Sequence, residues 1–198
     1  MASIVQICNI ALSRIGQSQG IDSLTESSLA AGLCTLHYPV CVQQVLADGD
    51  WAFAESRVVL ADIGTPPTNW EYRYAYPTDC LKARRIAVPG MEVVPLAQRI
   101  TFKVINSGSG KAIVTNWPEA ELIYTLDVTD PTLFPPLFVS ALAWRLAAEL
   151  AMGLQARPEN YQAAMRNYQM EVSNAQAVSY EESEEGEMPD SEFIRARG

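Results

Sequence analysis

His37 is the sole histidine in a chain of 198 residues, with Cys34 three positions before it and Cys41 four after it. On a helix that spacing gathers the three side chains on one face, where a base could activate a thiol for nucleophilic attack. A zinc centre would need about four nitrogen or sulfur ligands at clustered spacing. The other cysteines, Cys8 and Cys80, are remote in sequence, and no C-x-x-C pair occurs. The four therefore read as buried free thiols of a reducing compartment, and His37 as a surface or satisfied core histidine.

NSGSGKAI, residues 106 to 113, ends like a phosphate-binding loop, but Ile105 stands where the first glycine belongs and Ala112 replaces the magnesium-binding hydroxyl. It reads as a glycine-rich hairpin turn. Asp48, Asp50, Glu119 and Glu121 fall at expected turns or exposed strand positions and suggest no acid–base pair. The residues thus point to no catalytic, cofactor or metal site.

Two patterns suit binding better than chemistry. NWEYRYAYPTDC, residues 69 to 80, places Trp70, Tyr72, Tyr74 and Tyr76 at every second position, so a strand turns all four rings to one side. KARR follows, with Lys82, Arg84 and Arg85 the densest positive group. Together they would make a single-strand nucleic-acid-binding module, with bases stacked on the rings and phosphates on the cations. The charge balance argues otherwise. The chain carries −9; seven of its 23 acidic residues lie in 181–198, leaving 16 acidic against 12 basic residues before that point, or −4. Without a basic excess, the aromatic row reads as sheet or intersubunit packing, and KARR as a solvated strand edge.

The elements that must carry these residues follow from periodicity. Ser3 caps a helix that Gly16 ends. The S-x-x-E box at Ser23 and Glu26 opens a second helical pattern on Leu29, Leu33, Leu36 and Val40, with a kink or break expected at Pro39. From Trp51 the period changes to two, predicting short strands at 56–63, 70–76, 82–88, 91–95, 99–105, 111–115 and 120–127. Pro135 and Pro136 open a helix of about 18 residues, and Pro158 begins a last one with a stripe of Tyr161, Met165, Tyr168, Val172 and Ala175. The run 133–154 approaches the length of a membrane span, yet Arg145 and Glu149 inside it favour a core helix. The amino terminus lacks the basic region of a signal peptide. The expected fold is α+β: a four-helix bundle formed by the N- and C-terminal helix pairs, 1–50 and 132–180, around an inserted antiparallel β-sheet, 51–131, followed by an acidic carboxy-terminal tail, 181–198.

Several motifs together carry a family likeness. They are L-x-x-I-G at Leu12 to Gly16, Ser23-Leu24, HYP at His37 to Pro39, and VLADGDWAFA from Val45. W-x-Y-x-Y-x-Y-P-x-D-C-L follows from Trp70, and then AELIYTLDVTDPTLFPPLFVSALAWRLAAELA from Ala120. Over roughly residues 4 to 178 the chain resembles the podovirus tail tubular protein A family, the head-to-tail adaptors of short-tailed bacteriophages. The resemblance implies a structural virion protein without enzymatic activity or cofactor, assembled in the host cytoplasm. It would form a ring, typically of twelve subunits, between the portal protein and the tail nozzle protein. Double-stranded DNA would pass through its channel during ejection, without sequence-specific binding. No membrane partner is implied. A mildly acidic wall suits a channel along which phosphates must slide.

The tail EESEEGEMPDSEFIRARG differs in composition from everything before it. Its acidic run favours an extended, solvated segment. It ends, however, in Phe193, Ile194, Arg195 and Arg197, an apolar pair beside two cations. A solvated tail and an anchor docking on the portal ring are both open readings of this segment.

Overall fold

The computed structural model describes residues 2–91, 94–106, 108 and 110–182, with side chains described as far as Gln176. Helix α1 spans Ile4–Arg14, starting where the Ser3 hydroxyl accepts the Gln6 amide at 3.1 Å. It ends where Gly16, at φ 82°, lets the Gly16 and Gln17 amides fold back onto the Ser13 and Leu12 carbonyls, both at 3.1 Å. Helix α2, Leu29–Asp48, begins later than the capping box predicts. The Glu26 carboxylate accepts the Asp22 and Ser23 amides at 2.8 and 3.3 Å, closing a separate turn. Ser28 caps the helix instead, accepting Ala31 N–H at 3.1 Å. The helix continues through Pro39 without a break.

Six strands follow: β1 Glu55–Val59, β2 Tyr72–Ala75, β3 Cys80–Ile86, β4 Phe102–Asn106, β5 Lys111–Thr115 and β6 Glu121–Leu126. Of the expected strand at 91–95, Met91 forms an isolated bridge with Val88, and residues 92 and 93 lie outside the described residues. Helices α3, Pro136–Gly153, and α4, Pro158–Glu182, complete the chain.

The expected architecture is corrected in two respects. The strands do not form one inserted sheet: they make two antiparallel three-stranded sheets, ordered β1-β6-β3 and β2-β5-β4. Residues 60 to 63 leave β1 and pair with β2, the Ala75 amide donating to Ala61 O and the Ile63 amide to Arg73 O, each at 2.9 Å. Successive residues Ala112 to Thr115 of β5 and Leu122 to Thr125 of β6 are buried, so both central strands are covered on both faces.

Nor do the helices form a bundle of N- and C-terminal pairs. Helices α1, α2 and α4 each have α3 as their main helical partner. The reason lies in α3 itself, where Ala141, Leu142, Ala143 and again Leu146, Ala147, Ala148 are buried at consecutive positions. Three successive helical residues point in directions about 100° apart, so burial of all three requires neighbours on several sides. The alanines let those neighbours come close. At Gly153 a Cβ would sit 2.8 Å from the Leu33 side chain of α2.

Two cores result. The helical core contains Ile7, Leu12, Leu46, Phe138, Leu142 and Leu150. The other, between the sheets, contains Tyr74, Ile86, Ile113, Leu122 and Tyr124. At their junction Phe138 meets Trp51 and Phe53 edge-on, with ring centroids 4.9 and 5.0 Å away.

Candidate functional site

Among the described residues, His37 does not meet the thiols of Cys34 and Cys41. Cys34 and Cys41 are buried on the core face of α2, while His37 makes no hydrogen bond or ion pair among the described residues. Burial pushes the Cys41 thiol up to about 12, and Cys8 is also raised, by its hydrogen bond with Cys34 and by burial. A thiol in that condition is protonated at neutral pH and is a poor nucleophile or ligand. Among the described residues no group of three or more His, Cys, Asp or Glu could hold a metal ion. The loop after β4 runs into β5 rather than a helix, with Gly108 and Gly110 at positive φ, a hairpin geometry.

Tyr72, Tyr74 and Tyr76 line the core between the two sheets, Tyr74 2% exposed and the other two half-buried. The Tyr74 hydroxyl donates to Trp117 O at 3.0 Å, and the Tyr72 ring stacks on Tyr74 at 6.1 Å. Lys111 Nζ stands 5.2 Å from the Tyr76 ring centroid. Trp70 lies before the strand, next to Asn69 at φ 79°, and is half-buried. Three of the four rings thus face the opposite sheet, and the row offers no continuous open platform for bases.

KARR divides by its contacts. Lys82 donates to Ala47 O at 2.7 Å, tying β3 to the end of α2. The Arg84 side chain is 7% exposed; it reaches Thr125 Oγ1 at 2.9 Å, Glu55 Oε2 at 3.2 Å, Trp51 O at 3.2 Å and Asp50 Oδ1 at 3.4 Å. It is a structural joint between the helical layer and the first sheet. A bulge between Ala83 and Arg85 leaves Arg85 opposite Ile123, on the same face as Thr125, and Arg85 makes no hydrogen bond or ion pair among the described residues.

The face of the first sheet that carries Arg85 and Ile123 holds a cleft of about 500 Å³. In the register of β1-β6-β3, Arg57 and Arg85 both stand opposite Ile123, one on either side of the central strand. Two residues earlier along β6 is Glu121, then Glu119 and the half-open ring of Trp117, all lining the same cleft. Charge therefore changes sign along it. Arg57 also approaches Glu55 at 3.7 Å, a pairing within the strand.

Helix α2 supplies the second open feature. Its core face is Ala31, Cys34, Tyr38, Cys41, Val42 and Val45, whereas Leu29, Leu36 and Val40 are 68, 63 and 52% exposed. These three recur seven and four residues apart, a stripe along one face. By length and composition α2 is the one described helix apolar enough to cross a membrane, but its other face is packed in the helical core.

Sequence reasoning built the second helix on Leu29, Leu33, Leu36 and Val40, of which Leu33 packs against the helical core and the other three are exposed, and it missed the cleft. The cleft's two arginines are 28 residues apart and meet only through strand pairing. Phe193, Ile194, Arg195 and Arg197 lie outside the described residues. No protein-family model matches the chain, and no curated protein matches it.

Proposed function

We propose that this chain is a structural subunit of a head-to-tail adaptor ring. It joins a phage portal to the tail nozzle and lines the channel through which DNA passes. The observation that carries the reading is the exposed stripe Leu29, Leu36 and Val40 on α2. A ring subunit buries two different faces against copies of itself, a heterologous contact closed by rotation. An apolar stripe left open on a well-packed helix suits one of those faces. The likeness of the sequence motifs to the podovirus tail tubular proteins supplies the identity of the ring. The scattered placement of His37, the cysteines and the carboxylates agrees with a protein that acts by assembly. In this reading Phe193, Ile194, Arg195 and Arg197 anchor the subunit on the portal.

The test is to mix purified protein with cognate portal rings and image the product. A second ring stacked on the portal is expected with the native chain, and its loss with Leu36→Glu combined with Val40→Glu, which leaves the monomer folded. Failure of the native chain to form any ring-on-ring complex would overturn the proposal. The single-strand nucleic-acid reading has less support, since Tyr72, Tyr74 and Tyr76 turn toward the second sheet.

A further inference from the structure

We propose that Cys8 and Cys34 are a redox-active pair, which a small oxidant converts to a disulfide that staples α1 to α2. The two side chains meet in the helical core, where Cys8 hydrogen-bonds Cys34 and neither residue has exposed surface. Their neighbours fix this meeting. Asn9, next to Cys8, clamps the backbone of Ile21: its Nδ2 donates to Ile21 O at 2.9 Å and its Oδ1 accepts the Ile21 amide at 2.7 Å. Thr35, next to Cys34, donates to Leu24 O at 3.2 Å. The segment between the helices is thus pinned to both of them at two points close in sequence, each beside one of the cysteines. One turn along each helix stand Ala11 and Ala31, also fully buried. Such small side chains let the backbones approach to the Cα separation of a disulfide, about 4.4–6.8 Å.

The other cysteines stand apart from this pair. Cys41 follows Cys34 by two turns of α2, about 10 Å along the axis, which is beyond disulfide reach. Cys80 belongs to the core between the sheets. The hydrogen bond also gives the pair two roles, since it lowers the Cys34 thiol from its ordinary value and raises Cys8, so that Cys34 ionises first. With a peroxide as oxidant, the Cys34 thiolate attacks one oxygen, the O–O bond breaks, and a sulfenic acid forms with release of one water. Cys8 then gives up its proton and attacks the Cys34 sulfur, the S–O bond breaks, and a second water leaves. Two thiols have lost two electrons and two protons, and the peroxide has become two waters. A buried pair is reached only through brief local openings, so the thiols persist where reductant is present and the staple sets slowly once it is withdrawn. The inference concerns the single chain and does not rest on the adaptor reading.

The test exposes the full reduced chain to hydrogen peroxide, alkylates the remaining thiols in denaturant, and maps linked peptides by mass spectrometry. Cleavage by trypsin after Arg14 and by chymotrypsin after Leu36 puts Cys8, Cys34 and Cys41 on separate peptides. A link between the Cys8 and Cys34 peptides of one chain is expected, with Cys41 and Cys80 recovered alkylated. The thermal midpoint of the oxidised chain should lie roughly 5–10 °C above that of the same sample after dithiothreitol, which reduces the disulfide and leaves oxidised methionines as they are. Cys8→Ala should abolish the link and the difference, whereas Cys41→Ala should keep both. Four alkylated cysteines after oxidation, a link to Cys41 or to a second chain, or a midpoint that dithiothreitol does not move would overturn the proposal. The map of the native chain decides the link even where a core variant folds poorly.

Discussion

Arg84 and Arg85 are neighbours in one basic group, yet replacing each by alanine is expected to give opposite results. The Arg84 guanidinium is almost fully enclosed and serves Thr125, Glu55, the Trp51 carbonyl and Asp50 at once. Removing it leaves the part-buried Glu55 carboxylate with the more distant Arg57, at 3.7 Å, and breaking a buried charge pair typically costs 3–5 kcal/mol. Asp50 is 67% exposed and adds little. Glu55, at 27%, is partly hydrated, which places the loss near the lower end, about 3 kcal/mol. With a urea slope of about 2 kcal/mol per molar, the unfolding midpoint of Arg84→Ala should fall by about 1.5 M. Arg84→Lys keeps the charge but not the fork, and should fall by about half as much. Arg85→Ala, whose side chain lacks a partner among the described residues, should stay within about 0.5 kcal/mol. Equal midpoints for Arg84→Ala and Arg85→Ala would refute the division of this group into a joint and an open cation.

Tyr74→Ala removes a buried ring and its bond to the Trp117 carbonyl; a loss of about 3–5 kcal/mol is expected by denaturant unfolding, with no change in oligonucleotide binding. At Gly49 an added Cβ would lie 2.7 Å from Trp51 Nε1, which donates to Val45 O at 2.7 Å. Gly49→Ala should therefore cost about 1–3 kcal/mol and shift the Trp51 indole proton resonance. Burial and the bond to Asp48 Oδ2 at 2.7 Å raise the Tyr168 phenol above its ordinary value of 10.0. An acid whose folded value is raised stabilises the fold below its unfolded value, and that contribution disappears as pH rises beyond it. Stability should thus decline above pH 10, and less steeply in Tyr168→Phe, as followed by thermal unfolding across that range.

Local signals were legible in the sequence wherever one residue decides the outcome. Ser3, Gly16, Pro136 and Pro158 each mark the helix boundary that their backbone chemistry predicts. Ser23 and Glu26 misled because the same side chains can close a turn before the helix as well as cap it. The α2 stripe misled for another reason. Leu29, Leu36 and Val40 have core character, but Ala31, Cys34, Tyr38 and Cys41 compete at the same period, and only the position of α3 settles which face is buried. The second sheet was not readable either. Period two fixes which residues share a face, while the partner of each strand depends on the 60–63 crossing and on pairings such as that of β1 with β6, more than sixty residues apart.

The central place of α3 has a consequence for synthesis. Ile7, Cys8, Ala11 and Leu12 of α1 and the inner face of α2 emerge from the ribosome first, but the helix that covers them begins only at Pro136. Until that segment appears, more than a hundred residues must wait with apolar surfaces uncovered, and the chain closes late, by contacts of long sequence separation. A nascent chain stopped before α3 is therefore the form most in need of a chaperone's shelter.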